Sequence, residues 1–243
     1  MKNGTFLRGS LLLTYVFLFL SCSGDDDGNE PDGPEGVISE ALDPVTDIEG
    51  NSYPVRRIGD QVWMVSNLKT TTYNDGTPIT EITDWEEWFY TDTEAYVWYD
   101  NDTDESTGNF GALYNGHAVN TGKLCPEGWH VPTIEEFITL VELGGGIPNA
   151  GAHLKSTDLW EYPASEAYDT FGFNALPAGF RNYDGAYEDR LYEGAFWTSS
   201  EFHEDNEYSS GSAYTITLRT HSVRAEDYTR SRTMGYSCRC LKD

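Results

Sequence analysis

Basic residues are scarce in this chain. Only 15 Lys and Arg stand against 41 Asp and Glu in 243 residues, for a formal net charge of −26. A surface this acidic repels a phosphate backbone, which removes nucleic acid from the partners to consider. Long apolar runs are missing too: the longest, Leu11–Leu20, is about half the ~20 residues a helix needs to cross a bilayer. Cysteine is sparse, with four residues at 22, 125, 238 and 240, and the five histidines (117, 130, 153, 203 and 221) are scattered. None of them has the i, i+4 helical spacing of a zinc motif or neighbours a C-x-x-C pair. There is no Gly-rich phosphate loop, no G-x-S-x-G turn, no evident pair of catalytic carboxylates and no repeat of 20–50 residues.

What is present begins with an address. Lys2 and Arg8 precede the Leu11–Leu20 run, and the small residue Ser21 precedes Cys22, the three parts of an export signal. "FLFLSC" resembles a bacterial lipobox, which makes Cys22 the lipid-bearing residue. "SGDDDGNEPDGPEG", 23–36, holds no residue able to join a core and reads as a tether. An acidic run directly after a lipid-bearing cysteine resembles the signal that routes lipoproteins to the outer face of the bacterial outer membrane. The expected organisation is a signal peptide over 1–21, an acylated (palmitate-bearing) Cys22 with its tether over 22–45, and a globular domain over 46–243. The membrane is then a partner through Cys22, and export permits disulfides.

The body is aromatic-rich, at 14% Phe, Trp and Tyr. "YPVRRIGDQVWMVSNL" reads as two strands around a Gly59–Asp60 turn, and "YNDGTPI" as a turn at Asp75–Gly76. The segment from Asp84 to Gly108 mixes rings and acids without clean periodicity and reads as a long irregular loop around a short strand, Tyr96–Tyr99. "GALYNGHAV" can form a short helix. The clearest helix starts at Thr133, which can close a capping box with Glu136; Ile134, Phe137, Ile138 and Val141 share one face, and Gly144–Gly146 stop it. Short strands follow, and "GYSCRCLKD" reads as a single last strand. The fold class is α+β with strands dominating.

"YNDGTPI", "YVWYDND", "GALYN", "AVNTGKLCPEGWHVPT", "GFNALPAGFR", "FWTSSE" and "CRCLKD" occur in this order from about Asp47 to Asp243. Together they resemble the Fibrobacter succinogenes major paralogous (FISUMP) domain. That resemblance implies a C-type-lectin-like fold, also used by sulfatase-modifying proteins: short twisted antiparallel strands, about two helices, long loops, and terminal strands lying together. The family pattern also has cysteines where Cys125 and Cys240 stand, implying a bridge between them. Cys238 departs from the pattern. It shares a strand face with Cys240 at i and i+2, so a bond between those two is disfavoured, and Cys125–Cys238 is the alternative pairing.

A bridged Cys125 is no nucleophile, and His130 in "GWHVP" reads as a structural histidine. Asp100, Asp102 and Asp104 echo a calcium loop, but the EF-hand places for Gly and Glu hold Glu105 and Gly111. Calcium through these three is therefore the one weak cofactor candidate, and the calcium-and-sugar triplets of true C-type lectins are absent. Aromatic surface remains. Trp85, Trp88, Tyr90, Trp98 and Tyr183, with Arg181 at the rim, are the candidate ligand residues; Phe89, Tyr99, Trp160, Tyr162 and Tyr187 are further rings. Flat rings beside carboxylates suit sugars or protein partners. The expectation is a surface-anchored binding module for glycan or extracellular polysaccharide, not an enzyme. The alternative is an adhesin or structural partner-binding protein, and a formylglycine-generating-like enzyme stands behind both.

Overall fold

Gly59, at φ 60°, and Asp60 turn the chain where the sequence marks them, joining β2 (Ser52–Ile58) to β3 (Gln61–Met64) with Ile58 paired to Gln61. Tyr53, Val55 and Ile58 face the interior. The computed structural model describes Met1 and residues 36–102, 110–161, 166–202 and 211–243; Cys22, Asp104, Tyr162 and His203 lie outside them. Strand pairing begins before the expected domain start at residue 46: β1 (Ser39–Thr46) pairs antiparallel with β2. It is an edge strand whose register shifts between Leu42 and Val45, around Asp43 and Pro44. That irregularity breaks the period-two pattern that would have revealed it.

The last residues close the same sheet. β14 (Leu241–Lys242) inserts between β3 and β7 (Trp129–His130), giving the order β1-β2-β3-β14-β7. A second sheet runs β4 (Thr80–Glu81), β5 (Ala95–Val97), β6 (Leu113–Asn115), β13 (Gly235–Tyr236), β8 (Phe180–Arg181) and β9 (Tyr187–Glu188). The β4–β5 pair is parallel, so the expectation of antiparallel strands throughout is corrected to a mixed sheet. A third sheet is the meander β10 (Glu193–Phe202), β11 (Ser212–Arg219) and β12 (Ala225–Ser231). "GYSCRCLKD" is not one strand: its two short strands serve different sheets. Residues between them run beside the 64–68 segment, with Met64 N–H on the Cys240 carbonyl and Leu68 N–H on that of Cys238.

Four α-helices stand among the described residues rather than about two: α1 (Trp85–Tyr90), α2 (Gly116–Asn120), α3 (Ile134–Leu143) and α4 (Ala150–Leu154). α3 carries the expected capping box and ends at Gly144. It buries Phe137, Leu140 and Val141, with Phe137 edge-on to Trp63 at 5.1 Å and close to Phe173 and Phe196. A neighbouring core gathers Tyr53, Tyr114, Trp197 and Tyr236 with all three cysteines of the body. Cys125 is bonded to Cys240 across 115 residues, and Cys238 is a buried free thiol. The fold is mostly β with short helices.

Three cations, Arg239, Lys155 and Arg181, are fully buried in the described body without a carboxylate bonded to them. Arg239, inside the "CRC" motif, donates to the Asn67 side chain at 2.8 Å and to the Phe173 and Asn174 carbonyls, with its guanidinium over the Phe173 ring at 4.4 Å. Lys155 donates to the carbonyls of Arg219 and Ser222. Burial disfavours both charges, lowering Arg239 to about 9 and Lys155 to about 8. The third, Arg181, underlies the candidate site.

Candidate functional site

Asp84 starts α1 where no helix was expected. Its side chain accepts from the Glu86 and Glu87 N–H groups, and those glutamates complement the helix start. At six residues the helix is too short to show periodicity, so tertiary contacts hold it. Trp88 faces inward, fully buried, and its Nε1 donates to the Asn182 carbonyl at 3.1 Å. Beneath the helix start lies Arg181, also fully buried. It donates to the carbonyls of Ile82, Thr83 (3.0 Å), Asp84 (3.2 Å) and Gly185 (3.2 Å). Its guanidinium lies 4.5 Å from the Trp88 ring centre and 5.0 Å from that of Tyr187. Burial lowers its pKa, with Tyr187 and Asp84 opposing the shift.

Trp88 and Arg181, expected to touch ligand, are therefore the foundation of the site and not its surface. What they hold up is exposed. Trp85 is 62% exposed, Phe89 42%, Tyr90 73% and Tyr183 52%. Phe89 sits edge-on to Tyr90 at 4.9 Å and 6.5 Å from Tyr183, so α1 and the turn between β8 and β9 share one aromatic surface. Gly185, at φ 85°, permits this approach: a Cβ there would stand 2.8 Å from the Trp85 Cα.

Beside Tyr90 opens a wide cavity of about 530 Å³, lined by Thr80, Asp84, Glu86, Glu87, Thr91 and Thr93 among others, with no Lys, Arg or His among the described residues of its lining. Such a wall offers carboxylate acceptors and hydroxyls that both donate and accept. The sequence reading missed these acids and threonines. The signal it could have used is the Asp84 cap followed by two glutamates.

The remaining candidates lie elsewhere. Trp98 is half-buried, 6.2 Å from Tyr96 and packed on the core, so it is corrected from ligand ring to packing residue. Trp160 is buried with its Nε1 on Ser156, and Tyr99 pairs with Tyr187 at 5.2 Å. Asp100 lies in a 3-10 turn, Tyr99–Asn101, with Asp102 just after it. Among the described residues no three His, Cys, Asp or Glu side chains are placed to hold a metal. His130 bridges Asp243 (2.7 Å) and Glu136 (3.1 Å), joining the chain end to the start of α3.

A family model described as the Fibrobacter succinogenes major domain matches residues 57–242. No curated protein and no solved structure matches the chain.

Proposed function

The chain belongs to the Fibrobacter succinogenes major domain family, and from that premise we propose that it is a binding module for neutral glycan, carried on the cell surface by an acylated Cys22. The observation that carries the reading is the group of exposed rings Trp85, Phe89, Tyr90 and Tyr183 beside a cavity walled by carboxylates and hydroxyls. Aromatic faces stack on the apolar faces of sugar rings, while the polar wall bonds the hydroxyls. The rings stand on a rigid base, so little order must be created on binding. The acidic wall and the net charge of −26 disfavour uronate or sulfated chains. In the same proposal the fold is of C-type-lectin type, a reading supported by the first and last strands sharing one sheet. The surface anchor rests on the Lys2/Arg8–apolar–Ser21–Cys22 pattern and the acidic tether.

Retention of the full-length protein on immobilised neutral polysaccharides (β-glucan, mannan and starch) and on polygalacturonate tests this directly. The neutral matrices retain the protein, polygalacturonate does not, and the double variant Trp85→Ala/Tyr90→Ala weakens retention about tenfold or more with unchanged thermal stability. Equal retention of the variant, or no retention by any neutral matrix, contradicts the reading. Capture of a protein through the same rings would favour the adhesin alternative. Cys22→Ala releases the chain from the membrane fraction and abolishes palmitate labelling; an unchanged distribution contradicts the anchor.

A further inference from the structure

A second cavity, of about 210 Å³, lies next to the first. Tyr73, Thr77, Thr80, Glu94 and Lys123 are among its lining residues. Thr80 lines both cavities; Thr93 lines the first and its neighbour Glu94 the second. The parallel pairing of Thr80 with Ala95 in β4–β5 places these two stretches side by side. The two cavities thus share Thr80 and border the same strand pair.

The far wall is the "YNDGTPI" turn, which the aromatic surface on α1 leaves unexplained. That wall is rigidly mounted. The Asn74 N–H bonds the Lys123 carbonyl, the Asn74 side chain donates to the Cys125 carbonyl at 2.9 Å, and Lys123 pairs with Asp75 at 2.7 Å. The turn is thereby tied to the loop that the disulfide closes. Tyr73 is itself buried, with its hydroxyl beside the Thr121 hydroxyl at the same cavity. Hydroxyl-bearing side chains recur in both cavities, at Thr77, Thr80, Thr91, Thr93 and Thr121, and the Lys123 charge is balanced by Asp75.

We propose that the two cavities act as one groove, which takes an extended neutral glycan chain rather than a single terminal sugar, one stretch lying against Tyr90 and the next against the Tyr73–Thr77 wall. The proposal rests on the glycan reading and adds to it a second subsite and a length requirement. Affinity then accumulates along the chain, the second stretch adding to the first.

The test is titration of the full-length protein with neutral β-1,4-linked gluco- and manno-oligosaccharides, from disaccharide to hexasaccharide. The hexasaccharide binds at least about ten times more tightly than the disaccharide. Thr77→Trp, at an exposed position, fills the second cavity and removes that gain while leaving short-chain and ring-dependent binding intact. Thr80→Trp, at the junction, provides an independent block. If affinity is flat with length and neither tryptophan matters, while Trp85→Ala/Tyr90→Ala still weakens binding, the two-part groove is wrong and the glycan reading stands. If no oligosaccharide binds at any length and no polysaccharide is retained, both fall.

Discussion

The Arg181 guanidinium is committed to main-chain carbonyls at Ile82, Thr83, Asp84 and Gly185, and to the faces of Trp88 and Tyr187. A buried cation without a carboxylate persists only if its hydrogen bonds are complete. Lysine has no planar fork to reach four carbonyls, so Arg181→Lys costs about 2–3 kcal/mol, read as a lower denaturant midpoint, and loosens α1. An unchanged midpoint refutes the foundation role. Sequence reasoning put Arg181 and Trp88 at the surface because charged residues are rarely fully buried, and because six helical residues do not reveal which face of "WEEWFY" turns inward. Trp85, Tyr90 and Tyr183 were legible as surface rings. Asp84 was legible as a cap only to a reader already expecting a helix.

At the scale of elements, α3 was legible because its signals agree: Thr133 and Glu136 at the start, an apolar face, and glycines at the end. β1 was not, since a bulged edge strand leaves no alternation. His130 ties α3 to the chain end. Burial alone lowers its pKa, but the bonds to Asp243 and Glu136 outweigh this and raise it above 6.5; Glu136, penalised by burial, is nonetheless lowered from 4.5 by its bonds to Thr133 and His130. The stability His130 contributes is therefore fully present below about pH 6.5 and is lost as pH rises through its raised folded value. The stability Glu136 contributes is present above about pH 4.5 and is lost as pH falls through its lowered value. Both groups are about one-third exposed, so the effect stays below about 1 kcal/mol. His130→Gln is expected to destabilise more at pH 6 than at pH 8, measured by urea unfolding; a pH-independent difference contradicts the assignment.

Across the described body, one bond fastens the start of the Cys125–Trp129 loop to the strand-switching segment before β14. Closing a loop across 115 residues stabilises by about 4–5 kcal/mol on the chain-entropy account. Cys125→Ser/Cys240→Ser loses an amount of that order in equilibrium unfolding, whereas Cys238→Ala costs about 1 kcal/mol. Equal effects would point to the alternative pairing in solution. The pairing was legible through the family pattern alone, because i and i+2 cysteines offer no internal ground for choosing between them. The grouping of α1 with the turn after β8 was not legible, since it joins residues about a hundred positions apart in the chain.

Hydrogen exchange of the full-length protein, with and without a saturating neutral polysaccharide that it retains, tests the glycan site most directly. The account predicts slowed exchange in residues 73–94 and 182–185, with the β10–β12 meander unaffected. Protection confined to the meander, with the α1 segment unchanged, contradicts it.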